Sequence, residues 1–555
     1  MSRKRVLVVG GVAGGASCAA RLRRMNESAD IIIYDRGPHV SFANCGLPYY
    51  VGNVIKDESQ LLLATPELFK NRFNIDVKVK TDVTAIDRDK KEITVKDLTS
   101  GKEYQEKYDA LVLSPGASPI KPPLPGIDLP GIFTLRNIPD SEAIKNWMKS
   151  RKTESVVIVG AGFIGLEMLE NLFRLGLKVT VVEMQPQVMP IMDPEMAVYV
   201  EQYLTGAGID LKLSEQVKGF EEIQGPRLRV DLQSGNSLTT DMVIMGIGVK
   251  PESDLAKAAG LTLGARGGIV VNEFMQTSDP DIWAIGDAVE VKDYVTGQPA
   301  QIPMAGPANR QGRIAADNIA ITCCGKPGQL RAFRGTQGTA VCGIFEMTVA
   351  TTGASERTLK RLDIPYRKVY IHPGHHTAYY PGAKPIHLKL LYAPETGLIL
   401  GAQAVGSEGV DKRIDVIAAL IQKQGTVYDM EDAELCYAPQ YGSAKDPVNI
   451  AGMVAANDLR GDSPLVWWEN VAGTEAVIVD VREPMEFAAA HLPQAMNIPL
   501  GQLRNRLDEI PKDKEIWCHC GVGQRSNVAV RILRENGYDA KNLTGGLQTC
   551  AACRF

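Results

Sequence analysis

The chain has 555 residues, room for three or four domains of ordinary size, and 45% hydrophobic residues with 53 glycines suit a globular α/β protein with many tight turns. A formal net charge of −4 gives no basis for a nucleic-acid or anionic-membrane partner. No apolar run approaches the roughly 20 residues of a membrane span, and ten cysteines in so long a chain read as reduced, buried or catalytic rather than as a disulfide framework, so a cytoplasmic location is expected.

Arg5–Val9, the turn Gly10-Gly11-Val12-Ala13-Gly14-Gly15 and an Ala/Arg-rich segment predict strand, turn and helix, with Ile31–Asp35 as the next strand. The turn follows G-x-G-x-x-G at Gly10 and Gly15, with Val12 in place of the middle glycine, and Asp35 stands 25 positions after Gly10. Amides at a helix N-terminus favour a pyrophosphate, and an acid there accepts from ribose hydroxyls. Ser41-Phe42-Ala43-Asn44-Cys45-Gly46-Leu47-Pro48 follows, offering one cysteine and no nearby partner. Such a thiol can store oxidation only with a sulfur from outside its own segment, or as a sulfenate.

Ser114-Pro115-Gly116 and the run from Pro119 to Pro130 mark a crossing between domains. The strand–turn–helix pattern then returns at Ser155–Val159 with a complete Gly160, Gly162, Gly165 turn, and Glu183 ends the next strand. One chain thus carries two dinucleotide folds as an internal duplication. A carboxylate at position 183 bonds a free 2′-hydroxyl and repels a 2′-phosphate, favouring NADH over NADPH. Thr277 to Asp287 reads as a return into the first fold, where Asp287 suits the ribityl chain of a flavin. Ala305 opens a helix whose N-terminus points at the isoalloxazine ring.

From about Arg331 the texture becomes alternating β-branched and aromatic, with a helix near Asp411 to Gln424, as in an α+β segment. A short polar linker precedes a last block of about ninety residues from Pro464. That block contains Asp480-Val481-Arg482-Glu483-Pro484 and His491-Leu492-Pro493, then Cys520-Gly521-Val522-Gly523-Gln524-Arg525 before helix-forming sequence. A cysteine and an arginine bracketing four residues ahead of a helix predict a loop whose amides surround one sulfur and hold a persulfide anion, with Arg525 adding positive charge. Cys518-His519-Cys520 with Cys550 and Cys553 lacks the spacing of a zinc site, so no metal is expected. Cys323, Cys324 and Cys342 read as small hydrophobes, and His372, His375 and His376 as surface or interface packing.

The segments 10–35, 41–50, 160–183, 286–287 and 305–318 together resemble the pyridine nucleotide-disulfide oxidoreductase superfamily over roughly residues 1 to 455. Ser41, where paired-cysteine members carry a second cysteine, narrows the resemblance to the single-cysteine branch, which includes coenzyme A-disulfide reductase, NADH oxidase and NADH peroxidase. The last block resembles a rhodanese domain. The fold class implied is α/β: two Rossmann-like dinucleotide-binding domains for FAD (1–118 and 250–325) and NADH (119–249), an α+β dimerisation domain (326–455), a linker (456–463) and an α/β rhodanese domain (464–555). By the same resemblance, Tyr379, Tyr380 and Tyr437 face the active cysteine of a partner subunit in a homodimer. Ser17, Arg24, Ser41, Asn44 and Lys445 line a channel for coenzyme A. The expected activity is NADH-driven, FAD-dependent reduction of persulfides, polysulfides or coenzyme A disulfides at Cys45, with Cys520 relaying sulfane sulfur. An NADH oxidase or peroxidase working through a cysteine sulfenic acid is the alternative enzyme, and a persulfide-sensing sulfur carrier the alternative of another class.

Overall fold

The structure is a computed structural model that describes residues 3–223, 225 and 227–552. Cys553 lies outside the described residues. The chain divides into two compact units, one formed by residues 1–184 with 209–336, the other by 185–208 with 337–555. No helix among the described residues is long and apolar enough to cross a membrane.

The first unit contains two parallel five-stranded sheets. One runs in the order Ile282–Ala284, Ala110–Leu113, Arg5–Val9, Asp30–Tyr34, Asp76–Lys78. The other runs Asp210–Leu213, Lys178–Glu183, Ser155–Val159, Met242–Met245, Ile132–Phe133. Their central strands are unbroken apolar runs because both faces are covered; Val6, Leu7, Val8 and Ile158 are wholly buried. The duplication extends past the nucleotide turns, since each fold also carries a three-stranded antiparallel sheet inserted just before the equivalent strand, Ala110–Leu113 or Met242–Met245: Thr81–Asp87, Glu92–Asp97 and Glu103–Lys107 in one, Val217–Ile223, Arg227–Leu232 and Ser237–Thr240 in the other.

The second unit joins an antiparallel five-stranded sheet (Ala340–Ile344, Met347–Gly353, Ile399–Gly406, Ile386–Tyr392, Arg367–Ile371) to a parallel one (Leu465–Val466, Ala540–Leu543, Ile516–His519, Val477–Asp480, Met496–Asn497). The helix Pro194–Gly206 belongs to this unit although it lies, in chain order, between two strands of the second nucleotide fold. Its anchor is Lys389, wholly buried, whose ammonium donates to Asp193 at 2.8 Å, to Glu356 at 2.6 Å and to Glu195. Burial works against that charge, but Tyr370 and the three carboxylates hold the ammonium above its ordinary range. The same acids are close enough together to hold a metal ion; Lys389 supplies the counter-charge instead.

Candidate active site

The two glycine turns match nearly atom for atom. Gly10 donates its amide to Tyr34 O at 2.8 Å, and Gly160 donates to Val182 O at 2.8 Å. A Cβ on Gly10 would stand 2.1 Å from Ser114 O, and one on Gly160 2.5 Å from Gly246 O. Both glycines have positive φ, +91° and +102°, so no other residue fits either turn. Each terminal acid braces its own turn: Asp35 Oδ2 accepts from the Gly11 amide and Glu183 Oε2 from the Ala161 amide, both at 2.8 Å. A Cβ on Gly15 or Gly165 would strike the carbonyl of Gly10 or Gly160, so helix and turn are pressed together in both folds. The turns differ at the middle position, where Gly162 leaves open space and Val12 stands in the first fold.

A cavity of about 290 Å³ runs along the first turn and is lined by Gly10, Asp35, Asn44, Arg136, Asp287 and Ala308. It therefore joins motifs separated by almost three hundred residues. The Gly286 amide donates to Gln311 Oε1 at 2.7 Å, tying the Gly286-Asp287 turn to the helix Ala305–Thr322. Gly312 of that helix has no room for a Cβ against Gly14 O, 2.5 Å away. Burial raises the pKa of Asp287, with Arg136 opposing, and likewise that of Asp35, which two amides and nearby arginines oppose. Two desolvated carboxyl groups lining one cleft, with a helix beginning at Ala305 whose residue Ala308 also lines it, fit a dinucleotide with ribose and sugar-alcohol hydroxyls such as FAD.

Cys45 sits in a single 3₁₀ turn, Asn44–Gly46, followed by the short helix Leu47–Val51. Leu47, Pro48, Tyr50 and Val51 are buried and anchor the turn, leaving Cys45 exposed. Upstream, Ser41 has a left-handed φ of +49°, held because its amide donates to Gly11 O at 2.8 Å and its carbonyl accepts from Leu63 N at 3.0 Å. The Cys45 thiol lies 3.7 Å from Asn44 Oδ1. Partial desolvation, then the carboxyl groups of Glu167 and Asp287, hold the thiol above its ordinary range. Glu167 itself is pushed up to about 7 by burial and by Glu170. Ser17 bonds Asn309 Oδ1, and Arg24, two helical turns further along Ala13–Met25, is exposed.

In the second unit the Tyr379 and Tyr437 hydroxyls lie 2.6 Å apart. Both rings are exposed, as are Tyr380, Tyr441 and Lys445. His372 pairs with His387, apart from the other two, whereas His375 and His376 are buried with their rings 4.1 Å apart, His375 bonding the Lys384 backbone and His376 the Thr377 carbonyl.

Cys520 closes the strand Ile516–His519 and is only 1% exposed. Its sulfur accepts from the Gly523 amide at 3.2 Å and from the Ser526 hydroxyl at 3.5 Å. Gly523, at φ +90°, caps the helix Gln524–Glu535, so the sulfur sits at a helix N-terminus. Arg525 also reaches the thiol, but its guanidinium grips Glu486 through two bonds of 2.6 and 2.7 Å, and that contact draws the Glu486 carboxyl down to about 2. The charge expected of Arg525 is thus largely compensated. Cys518, one pleat back, packs in the core.

Glu167 and Glu486 were not singled out by sequence reasoning. An acid two residues after the last glycine of a nucleotide turn, on a helix with an apolar inner face, is a signal that would have found Glu167. Glu486 stands in a capping box with Glu483, which gives its backbone role but not its tie to Arg525.

A family model described as pyridine nucleotide-disulphide oxidoreductase matches residues 4–309, its dimerisation domain matches 339–446, and a rhodanese-like domain matches 465–553. A coenzyme A disulfide reductase of Staphylococcus aureus (strain JH9) is 36% identical over 451 residues, which is 81% of this chain and 99% of that protein. The crystal structure of reduced Bacillus anthracis CoADR-RHD superposes with a TM-score of 0.96 at 48% identity, covering 100% of this chain and 98% of that one. That of an NAD-dependent persulfide reductase from A. fulgidus gives 0.89 at 38% identity, covering 98% and 99%.

Proposed function

Because the chain belongs to the pyridine nucleotide-disulphide oxidoreductase family, we propose that it is an NADH-dependent reductase of sulfur–sulfur bonds in persulfides, polysulfides or coenzyme A disulfides, with its rhodanese-like domain handling sulfane sulfur. The observation that carries this is the Cys45 turn: a free, exposed thiol with no disulfide partner among the described residues, next to Asn44, which lines the nucleotide cavity. Such a thiol suits attack on a substrate rather than internal disulfide formation. The Cys45 thiolate displaces hydrosulfide or a thiolate from the substrate and keeps the other sulfur as a persulfide or mixed disulfide. FAD in the first fold and NADH in the second would supply the two electrons that break the new S–S bond, returning Cys45 to the thiolate and releasing the retained sulfur as sulfide or as a thiol. Gly10, Gly15, Asp35, Asp287 and the helix opening at Ala305 would hold FAD; Gly160, Gly162, Gly165 and Glu183 would hold NADH.

The active form is a homodimer in which Tyr379 and Tyr437 of a second copy protonate the leaving sulfur, and Ser17, Arg24, Ser41, Asn44 and Lys445 bind coenzyme A. The relatives named for coenzyme A disulfide and for persulfide support this substrate class. Two sulfur sites on one chain favour persulfide chemistry over oxygen reduction, which has no use for a sulfur carrier. NADH consumption by the FAD-loaded protein tests the proposal: turnover with glutathione or coenzyme A persulfide, releasing sulfide, is expected. Turnover driven by air alone would overturn it.

A further inference from the structure

The Cys520 loop is not shaped by the rhodanese-like domain alone. The turn Thr544-Gly545-Gly546 and the helix Gly546–Ala552 form its floor: the Leu547 amide donates to Cys520 O and the Gln548 amide to Gly521 O, both at 2.9 Å. Fit is tight here, since a Cβ on Gly546 would lie 2.5 Å from Cys520 O, and Gly546 has φ +61°. Asn542 Nδ2 adds a bond to Gly523 O, the residue whose amide holds the Cys520 sulfur.

That floor is fastened to the antiparallel sheet of the same unit. The Tyr370 amide donates to Thr544 Oγ1 at 3.0 Å. Thr549, 1% exposed, lies over Gly545, where a Cβ would come 2.0 Å from its hydroxyl, and bonds His372 Nε2 at 2.8 Å. His372 Nδ1 in turn meets His387 Nδ1 at 2.9 Å. The His387 ring stacks on Tyr199 at 3.9 Å and 7°, and the Tyr199 hydroxyl donates to Gln548 O at 3.3 Å. The bonds close a loop that leaves the floor helix and returns to it. Burial keeps both imidazoles neutral, His372 down to about 3 and His387 to about 4. Two neutral rings share one proton across Nδ1–Nδ1: with the proton on His372, its Nε2 accepts from the Thr549 hydroxyl, and with it on His387, His372 Nε2 donates to that hydroxyl, so the bond is kept in either tautomer.

From this geometry we infer that His372 is a positioning residue for the Cys520 sulfur site: through Thr549 it fixes the helix on which the Cys520 loop rests. The donors to the sulfur, an amide at 3.2 Å and a hydroxyl at 3.5 Å, lie at ordinary distances for a sulfur acceptor and depend on direction, so a tilt of the floor weakens them. This deepens the proposed sulfur-handling role and rests on it. One consequence is that the rhodanese-like domain should be a poor sulfurtransferase when cut free of the sheet.

The test uses the full-length FAD-loaded protein with Thr549→Val, Thr549→Ser and His372→Gln. Two properties are followed: alkylation of Cys520 by iodoacetamide at fixed pH, read by mass spectrometry, and NADH-linked reduction of a small persulfide at Cys45. Thr549→Val keeps the side-chain volume and loses the hydroxyl, so alkylation of Cys520 should slow about tenfold, the effect of one lost hydrogen bond transmitted to the sulfur. Thr549→Ser should restore it to within about twofold. His372→Gln, which can still offer an amide to Thr549, should fall between them. NADH turnover should stay at the parent value in all three, and the melting temperature should fall by no more than a few degrees in Thr549→Val, the cost of one buried hydrogen bond in a chain of this size. Equal alkylation rates in Thr549→Val and the parent would overturn the inference. So would equal slowing by Val and Ser, which marks a purely structural residue. Absence of NADH-linked reduction in the parent would count against the proposed function instead, and the alkylation comparison would still be readable.

Discussion

Cys45 and Cys520 are both free thiols at the mouths of helices, yet their surroundings are opposite. Cys45 is exposed, and its pKa is raised first by partial desolvation and then by the carboxyls of Glu167 and Asp287. Cys520 is buried, and the groups that bear on it are an amide, a hydroxyl and a compensated guanidinium, all donors. A buried anion needs such donors from the chain itself. The second site is therefore complete within its own domain and its supporting sheet, and is suited to storing a sulfur anion. The first is suited to a thiol activated only when substrate and cofactor are in place.

If the two sites divide the labour in this way, replacing each nucleophile should give different losses. Cys45→Ser should produce the largest effect, a fall of at least about 10³-fold in NADH-linked reduction with every sulfur substrate, as removal of a sole nucleophile does. Stopped-flow absorbance of NADH reads it directly. Cys520→Ser should remove sulfur transfer to cyanide to a similar degree while leaving NADH turnover with a small persulfide within about twofold of the parent. Loss of that turnover too would mean that Cys520 serves Cys45 obligatorily, and the comparison would fail. A weaker probe is Ser526→Ala. It deletes one donor to the Cys520 sulfur, so the persulfide loaded on Cys520 should decay a few-fold faster, with NADH turnover unchanged. The decay can be followed by mass spectrometry of the protein after loading.

The parts of this molecule that were readable in the sequence are those fixed by short stretches of backbone. Gly15 and Gly165 answer the carbonyls of Gly10 and Gly160 within their own strand–turn–helix units, so the glycine spacing alone announces two nucleotide folds. The Cys520 loop is likewise local, since its amide and hydroxyl donors lie within six residues of the sulfur. What escaped depends on distant pairs. Nothing near Asp193 or Glu195 tells that Lys389, 196 and 194 positions later, draws their helix into the second unit. Glu486 and Arg525 are 39 residues apart, and either alone looks like a solvated charge. The tyrosines show the same limit: the Tyr379–Tyr437 hydroxyl pair spans 58 positions and lies on an exposed face.

Glu167 gives the finest test of the difference between the two thiols. Its carboxyl stands on the helix Phe163–Arg174 of the second nucleotide fold and raises the pKa of Cys45 in the first. Because burial and Glu170 push Glu167 up to about 7, it is charged throughout the alkaline range in which a thiol raised above its ordinary value titrates. Glu167→Gln keeps the shape and removes the charge. The thiolate of Cys45 then loses a repulsive neighbour, so its titration should move to lower pH, while burial and Asp287 still hold it above the ordinary thiol range. Alkylation of the Cys45 peptide against pH, in the FAD-loaded Cys520→Ser background, measures the shift. The carboxyl of Glu167 is largely protonated in the parent well below pH 7, so the variant's advantage should be confined to the alkaline side. A Cys45 profile that stays in place would show that Glu167 does not act on the thiol, leaving desolvation and Asp287 to hold it up, and the contrast with Cys520 would lose its larger carboxylate.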